Sequence, residues 1–482
     1  MLQPAIKPQN SSNAVETKAN DPPTLGTVVG AIIGSDIYIA SALTARLIGP
    51  FSIVVWIVAG IIATILAMIF AYSAYYVPKV GGSFAFVSTA FDEFWGFIAG
   101  WSMWIAEVLS LPVFALTFAN YLQYYVPLSF VSQFFVKAVF LFGLTAVNIF
   151  GVKAAGRLND VLTVGKLLPL LMIVFFGLGS FLLRPSGFVS NYVPLLPDGL
   201  GNFGTALVLI FWAYVGFELG VLPAGEVKNP SVTIPKAIIT GMGIVTFFYL
   251  STNFVIFGAV SSSQLAGTAV PLVLVSTALL GATGAAFTSA GALVSVSGSD
   301  ESGMLGTARL TYAMSVDGLF PKFFSRLHPK FNTPYAALIV QGGIALALSL
   351  FTGLGDLISF SVFNLAFSFL LVSLSFAVIQ KKGEKGLYGQ SVLPWLGVPI
   401  CLYLLYSAGW VNMIIGSIVV LVGIPLYLYF SPHTDIHHLK DLFTSEEAIL
   451  ARNLERKNRF LANGMRLTSR AIRRIRGRRR EN

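Results

Sequence analysis

The chain has 482 residues, of which 55% are hydrophobic and only 11% charged, and it carries a net charge of +10. With a positive mean hydropathy, its charges are too few and too segregated to cover a water-soluble fold of this length. A soluble multidomain protein is thereby excluded, and an integral membrane protein is indicated.

Residues 1 to 24 are polar and lack the short apolar core of a signal peptide, so they read as a disordered cytoplasmic tail. A membrane span needs roughly 20 apolar residues. Windows of that length place twelve spans, near 26–47, 51–77, 94–123, 133–152, 157–183, 203–223, 236–260, 280–306, 334–353, 356–380, 392–410 and 412–430. Gly49-Pro50, Pro78 with Gly81-Gly82, Pro185, Pro230 and Pro321 punctuate them.

The 31 Lys and Arg set the orientation. With the N-terminus inside, twelve fall in or beside the even-to-odd loops, two in the N-terminal tail and thirteen from 431 onward, all cytoplasmic. Only Arg46, Lys137 and Arg184 fall outside, and Lys166 is left within a span. Both termini are expected in the cytoplasm. The tail 431–482 holds thirteen cations against six acids and ends in RAIRRIRGRRR, a stretch that could hold anionic lipid headgroups or serve only to set topology. Its shortness and lack of interleaved aromatics argue against nucleic acid. Cys401 is the single cysteine, so no intrachain disulfide forms, and the four histidines lie in a loop or in the tail.

Five acids, Asp36, Glu107, Glu218, Asp300 and Glu301, fall within the expected spans together with Lys166. An unpaired charge at the centre of a lipid-facing helix costs about 2.5 to 3.5 kcal/mol, so these groups should face a polar pathway inside the bundle. Lys166 follows Arg157, which marks the cytoplasmic end of the fifth span, by nine residues. At 1.5 Å per residue that is roughly 14 Å into the membrane, beyond the reach of a snorkelling stem. A lysine so placed is neutral in some states or paired with an acid in others, the property of a proton carrier.

GAIIGSDIYIA, residues 30 to 40, sets Gly30, Gly34 and Ser35 ahead of Asp36. Small residues in spans commonly mark close helix packing, but packing does not call for a carboxylate. A helix break whose free N–H and C=O groups line a cavity accounts for the glycines and the acid together. FWAYVGFELG, residues 211 to 220, has the same form, with Gly216 two positions before Glu218 as Gly34 is before Asp36. Interrupted segments at corresponding positions of two halves point to a transporter site near the midplane, here with the first and sixth spans related by a five-plus-five repeat.

From about residue 25 to 430 the chain resembles the amino acid–polyamine–organocation (APC) transporters. GAIIGSDIY is similar to that family's first-span break, with Asp36 in the place of its last glycine. FWAYVGFE with EVKNPSVTIPKAI, and RLTYAMSVDGLFPKFFSRLHPKFNTP after the eighth span, are also close to the family pattern. The resemblance implies an all-α membrane protein of the LeuT-type five-plus-five inverted-repeat fold, twelve transmembrane helices with helices 1 and 6 broken, and no enzyme activity. The repeats would be 25–183 and 200–380, with helices 11 and 12 in 391–430.

Residue by residue, it implies that Ile33, Gly34, Ser35 and Asp36 face substrate, and that Trp212, Ala213 and Tyr214, beside Gly216, contact it, the aromatics closing as a gate. Glu218 matches an acid used in gating or proton linkage. Lys166 matches the lysine that proton-coupled members place where sodium-coupled relatives hold Na⁺, with Ser295 and Ser297 as its expected neighbours. Glu107 adds an acid to the pocket-lining third span. Tyr72 stands where the second-span pattern has an acid, and Glu301 where the eighth-span pattern has asparagine.

These readings make the chain a plasma-membrane permease for amino acids or related amines, working by alternating access with the proton as coupling ion and no other cofactor. Like charges about 4 Å apart at an effective dielectric of 20 oppose by about 4 kcal/mol. Asp36 beside a substrate carboxylate is therefore protonated, points away, or meets a cation, and the last choice favours amine-bearing substrates, polyamines among them. An amino acid or amine exchanger, or a substrate sensor, is the alternative. An inorganic-cation carrier lacks His or Cys beside Asp36. An intramembrane enzyme fails because Asp300 and Glu301 point about 100° apart on a helix. Sequence alone does not set the oligomeric state.

Overall fold

The computed structural model describes residues 32–79, 81–150, 152–197, 199–221, 230–382 and 390–431, the side chains of 152–164, 230–231 and 381–382 excepted. The expected tail 1–24, all but the first residue of the expected tail 431–482, and residues 226–229 (EVKN) of the resemblance lie outside these residues. One compact unit runs to Tyr427, and a second comprises Leu428–Asn482.

Helices in chain order are α1 Asp36–Ile48, α2 Ser52–Tyr76, α3 Ser83–Ala90, α4 Glu93–Leu122, α5 Phe130–Phe150, α6 Val152–Leu183, α7 Pro185–Ser190 and α8 Phe203–Ala213, followed by α9 Pro230–Ala259, α10 Ser262–Ala266, α11 Pro271–Val316, α12 Tyr335–Phe351, α13 Leu354–Lys382, α14 Leu393–Ser407 and α15 Trp410–Phe430. Among the described residues nine segments are long and apolar enough to cross a membrane, and α8 and α12 are shorter apolar helices. No strand occurs among the described residues. That is what a bilayer requires: with no water to satisfy backbone groups, the chain must pair them within each helix.

Local chemistry sets the ends. The Asp92 carboxylate accepts from the Trp95 N–H at 2.9 Å and caps α4. Ser261 and Gln264 form a reciprocal capping box on α10. Gly49 and Pro50 turn the chain from α1 into α2 through a 3₁₀ turn, Gly49–Phe51. Within α11, Gly281 has non-helical backbone angles and divides the segment into two helices.

The first and sixth spans are both interrupted. Residues 33 to 35 are non-helical before α1. The chain leaves α8 at Ala213, turns through 214 to 218 and resumes as a 3₁₀ helix at Leu219–Val221. Packing brings the interruptions into one interior: α1 lies against α8 and α11, α11 against α4 and α6, and α2 against α8 and α9.

Candidate functional site

The first break is organised around one peptide unit. The Gly34 N–H donates to Asp36 Oδ1 at 2.7 Å. The carbonyl of the same unit, Ile33 C=O, accepts from Ser299 Oγ of α11 at 2.8 Å. Lys166 Nζ of α6 donates to that serine at 3.0 Å. A carboxylate therefore sits on the positive end of the peptide dipole, and an ammonium reaches its negative end through a hydroxyl. Asp36 Oδ2 accepts from the Tyr249 hydroxyl of α9 at 2.7 Å, and that hydroxyl also lies 3.2 Å from the Ile32 carbonyl.

Glycine at 34 is required by contact. A Cβ there would lie 2.9 Å from Ser299 Cβ and 3.0 Å from Phe114 Cε1, closer than packed side chains come.

The sixth break repeats the arrangement. The Gly216 N–H donates to both carboxylate oxygens of Glu218, at 3.0 and 2.9 Å. Gly216 has φ +121°, a conformation that glycine adopts without strain. In each break a glycine N–H is held by the acid two positions on, where the sequence led us to expect that N–H to be free. From α4, Glu107 meets Glu218 carboxyl to carboxyl. Its Oε1 has no hydrogen-bond partner among the described residues.

Trp212 and Tyr214 diverge. Trp212 Nε1 donates to Ser110 Oγ of α4 at 3.2 Å, and its ring lies 5.8 Å from that of Phe114. Tyr214 turns toward α2 and α9, donating to the Trp56 carbonyl at 3.1 Å and packing 5.7 Å from Trp56 and 5.2 Å from Tyr249. Ala213, the last residue of α8, is buried between them in sequence. Both breaks are closed to solvent: Ser35 and Glu218 are 0% exposed, Asp36 4% and Trp212 5%.

All five acids expected in the spans are buried, as is Lys166. Lys137, which charge counting assigns to the outer side, is also buried, and its Nζ donates to the Ser349 carbonyl near the end of α12 at 2.8 Å.

The expected neighbours of Lys166 need correction. Ser297 turns back on its own helix and donates to the Leu293 carbonyl at 2.7 Å, and it is Ser299 that receives the lysine. Helix phase explains this: residues 295 and 299, four apart, share a face, whereas 297 lies about 200° round from 295. Ser295 is on that face and buried, its hydroxyl beside that of Tyr38. Tyr249, the second holder of Asp36, carried no signal in the sequence beyond being an aromatic in an apolar helix. Among the described residues Asp300 has both carboxyl oxygens unpartnered and the Glu301 carboxyl accepts from the neighbouring Ser302 at 3.5 Å, so neither acid is hydrogen-bonded to a break. Among the described residues no group of His, Cys, Asp and Glu is placed to hold a metal ion.

A family model described as "Amino acid permease" matches residues 24–431. The branched-chain amino acid permease BcaP of Bacillus subtilis (strain 168) is 28% identical over 84% of this chain and 90% of its own length. A methylthioribose transporter of the same organism is 26% identical over 84% of this chain and 91% of its own. The serine/threonine exchanger SteT, again from Bacillus subtilis (strain 168), is 28% identical over 78% of this chain and 86% of its own.

Proposed function

Because the chain belongs to the amino acid permease family of the APC superfamily, and so is a multi-pass membrane transporter rather than an enzyme, we propose that it carries amino acids or related amines across the plasma membrane by alternating access, driven by protons. The observation that carries this reading is the pair of broken spans, each with its glycine N–H held by its own acid, apposed in a closed interior. Half-helix ends facing one cavity near the midplane are where carriers of this architecture hold substrate. The shared Gly-x-acid geometry supports a five-plus-five relation of the two halves.

In this mechanism substrate enters from outside between the breaks, and Trp212, which lies across toward α4, closes over it. Tyr214 is fastened to Trp56 and serves as a fixed wall. Protonation of Lys166, or of the Glu107–Glu218 pair, shifts the balance between outward and inward orientations, so that a proton gradient drives uptake. Cations concentrated in the even-to-odd loops and the tail support cytoplasmic termini. Acids on the pathway favour amine-bearing substrates.

Uptake by proteoliposomes tests the proposal: labelled amino acids and polyamines are supplied with and without an imposed pH gradient. Accumulation that follows the gradient is expected. Transport that proceeds only when the vesicles are preloaded would instead favour exchange, the mode named for SteT.

A further inference from the structure

We propose that Asp36 fills, from within the chain, the place at the first break that a substrate carboxylate would take, and thereby selects amines that carry no adjacent carboxylate over α-amino acids. This rests on the transporter reading above and narrows its substrate class.

An anion recruited to a broken helix needs backbone N–H groups at the exposed half-helix end. At the first break the Gly34 N–H is already taken by Asp36 Oδ1 at 2.7 Å. The other carboxylate oxygen is fixed by the Tyr249 hydroxyl at 2.7 Å, so the group is held at both oxygens. The sixth break offers no substitute, since its Gly216 N–H is shared between the two oxygens of Glu218 at 3.0 and 2.9 Å. A free carboxylate entering here meets an anion in the position it would occupy, and Glu107 with Glu218 beyond it.

An ammonium meets the opposite situation. The Asp36 carboxyl is approached by the Tyr249 hydroxyl and by the backbone N–H groups of Gly34, Ile37 and Asp36 itself, and an ammonium competes with the weaker of these donors for its four lone-pair sites. An ammonium supplies three donors and no acceptor. Lys166 directs Nζ to Ser299 and so helps hold the Ile33 carbonyl at the other end of the same peptide unit. Asp36 thus acts as a specificity residue: it satisfies the break's own donor and presents negative charge to the ligand.

Matched pairs that differ by one carboxylate test this on the full chain. Cadaverine and lysine, agmatine and arginine, and isoamylamine and leucine are compared as ligands by thermal shift in detergent and as competitors in proteoliposome counterflow. Wild-type protein is expected to bind the amine of each accepted pair at least tenfold more tightly than the amino acid. Asp36→Gly frees the Gly34 N–H and is expected to shift that ratio at least tenfold toward the amino acid. Asp36→Asn keeps an acceptor for the Gly34 N–H without the charge, so amine binding falls while amino acids stay excluded. Wild-type protein that binds amino acids as well as amines, with ratios unmoved by both variants, overturns the assignment and leaves the transporter reading standing. Wild-type protein that binds neither member of any pair overturns both.

Discussion

Ser299 and Asp36 clamp the two ends of a single peptide unit, the serine hydroxyl 2.8 Å from the Ile33 carbonyl and the aspartate 2.7 Å from the Gly34 N–H. Because Lys166 donates to the same serine at 3.0 Å, a change of charge on the lysine is transmitted to the break through one hydroxyl. Ser299→Ala leaves the buried Ile33 carbonyl without that donor, a loss of about 1 to 3 kcal/mol. Transport is expected to fall about tenfold in both gradient-driven and counterflow assays. Lys166→Ala is expected to separate the two: accumulation under a pH gradient disappears while counterflow survives. Equal loss in both assays would remove Lys166 from proton coupling.

Tyr249→Phe isolates the second fastening of Asp36. The ring stays packed against Trp56 at 5.3 Å and Tyr214 at 5.2 Å, so the variant removes only the hydroxyl that reaches Asp36 and the Ile32 carbonyl. A hydrogen bond to a charged acceptor contributes about 1.5 to 3 kcal/mol. Substrate affinity is expected to weaken by about tenfold or more, and the melting temperature in detergent to fall by a few degrees with the lost bond. Unaltered affinity would show that Asp36 is held well enough by Gly34 alone.

The breaks were legible in the sequence because a bilayer tolerates neither an unpaired carboxylate nor an unpaired backbone group, so Gly-x-Asp and Gly-x-Glu inside apolar runs have few explanations. Burial of Asp36, Glu107, Lys166, Glu218, Asp300 and Glu301 followed from the same penalty. What escaped were matters of rotation and length. Ser297 and Ser299 are both serines two positions apart, and only the phase of α11 against α6 decides which meets Lys166. Gly281 lies within an unbroken apolar stretch, so hydropathy gave no sign that α11 is two helices from Pro271 to Val316. The short helix α3, Ser83–Ala90, follows glycines that read only as a turn. Tyr214 matched a gate by position, yet its hydroxyl is committed to Trp56.

Lys137, one of the few cations that charge counting assigns to the outer side of the membrane, lies buried against the end of α12, donating to the Ser349 carbonyl at 2.8 Å. A cation among the last carbonyls of a helix is favoured by the helix dipole and by charge-assisted bonding, together about 1 to 2 kcal/mol. Lys137→Met retains most of the stem's packing and removes the charge. The expected result is a lower melting temperature in detergent with the preference among substrates unchanged. A shift in substrate preference would bring Lys137 into the transport path.

The contact between α6 and α11 that carries Lys166 to Ser299 also depends on how closely the two helices approach. At Gly291 a Cβ would collide with Pro169 Cγ, and the proline ring is rigid, so the helices must separate to admit it. Overpacking of this kind costs about 1 to 3 kcal/mol. Pro169 is one helical turn from Lys166, so the separation also lengthens the Lys166 to Ser299 bond. Gly291→Ala is therefore expected to abolish gradient-driven uptake while leaving folded protein recoverable by size-exclusion chromatography. Gly165 provides the control on the same interface: its Cβ would meet Val294 Cγ1 at 3.6 Å, ordinary van der Waals contact. Gly165→Ala is expected to transport at close to the wild-type rate and, by favouring helix, to melt no earlier. If both variants transport equally well, close approach of α6 and α11 is not what sets the Lys166 to Ser299 link.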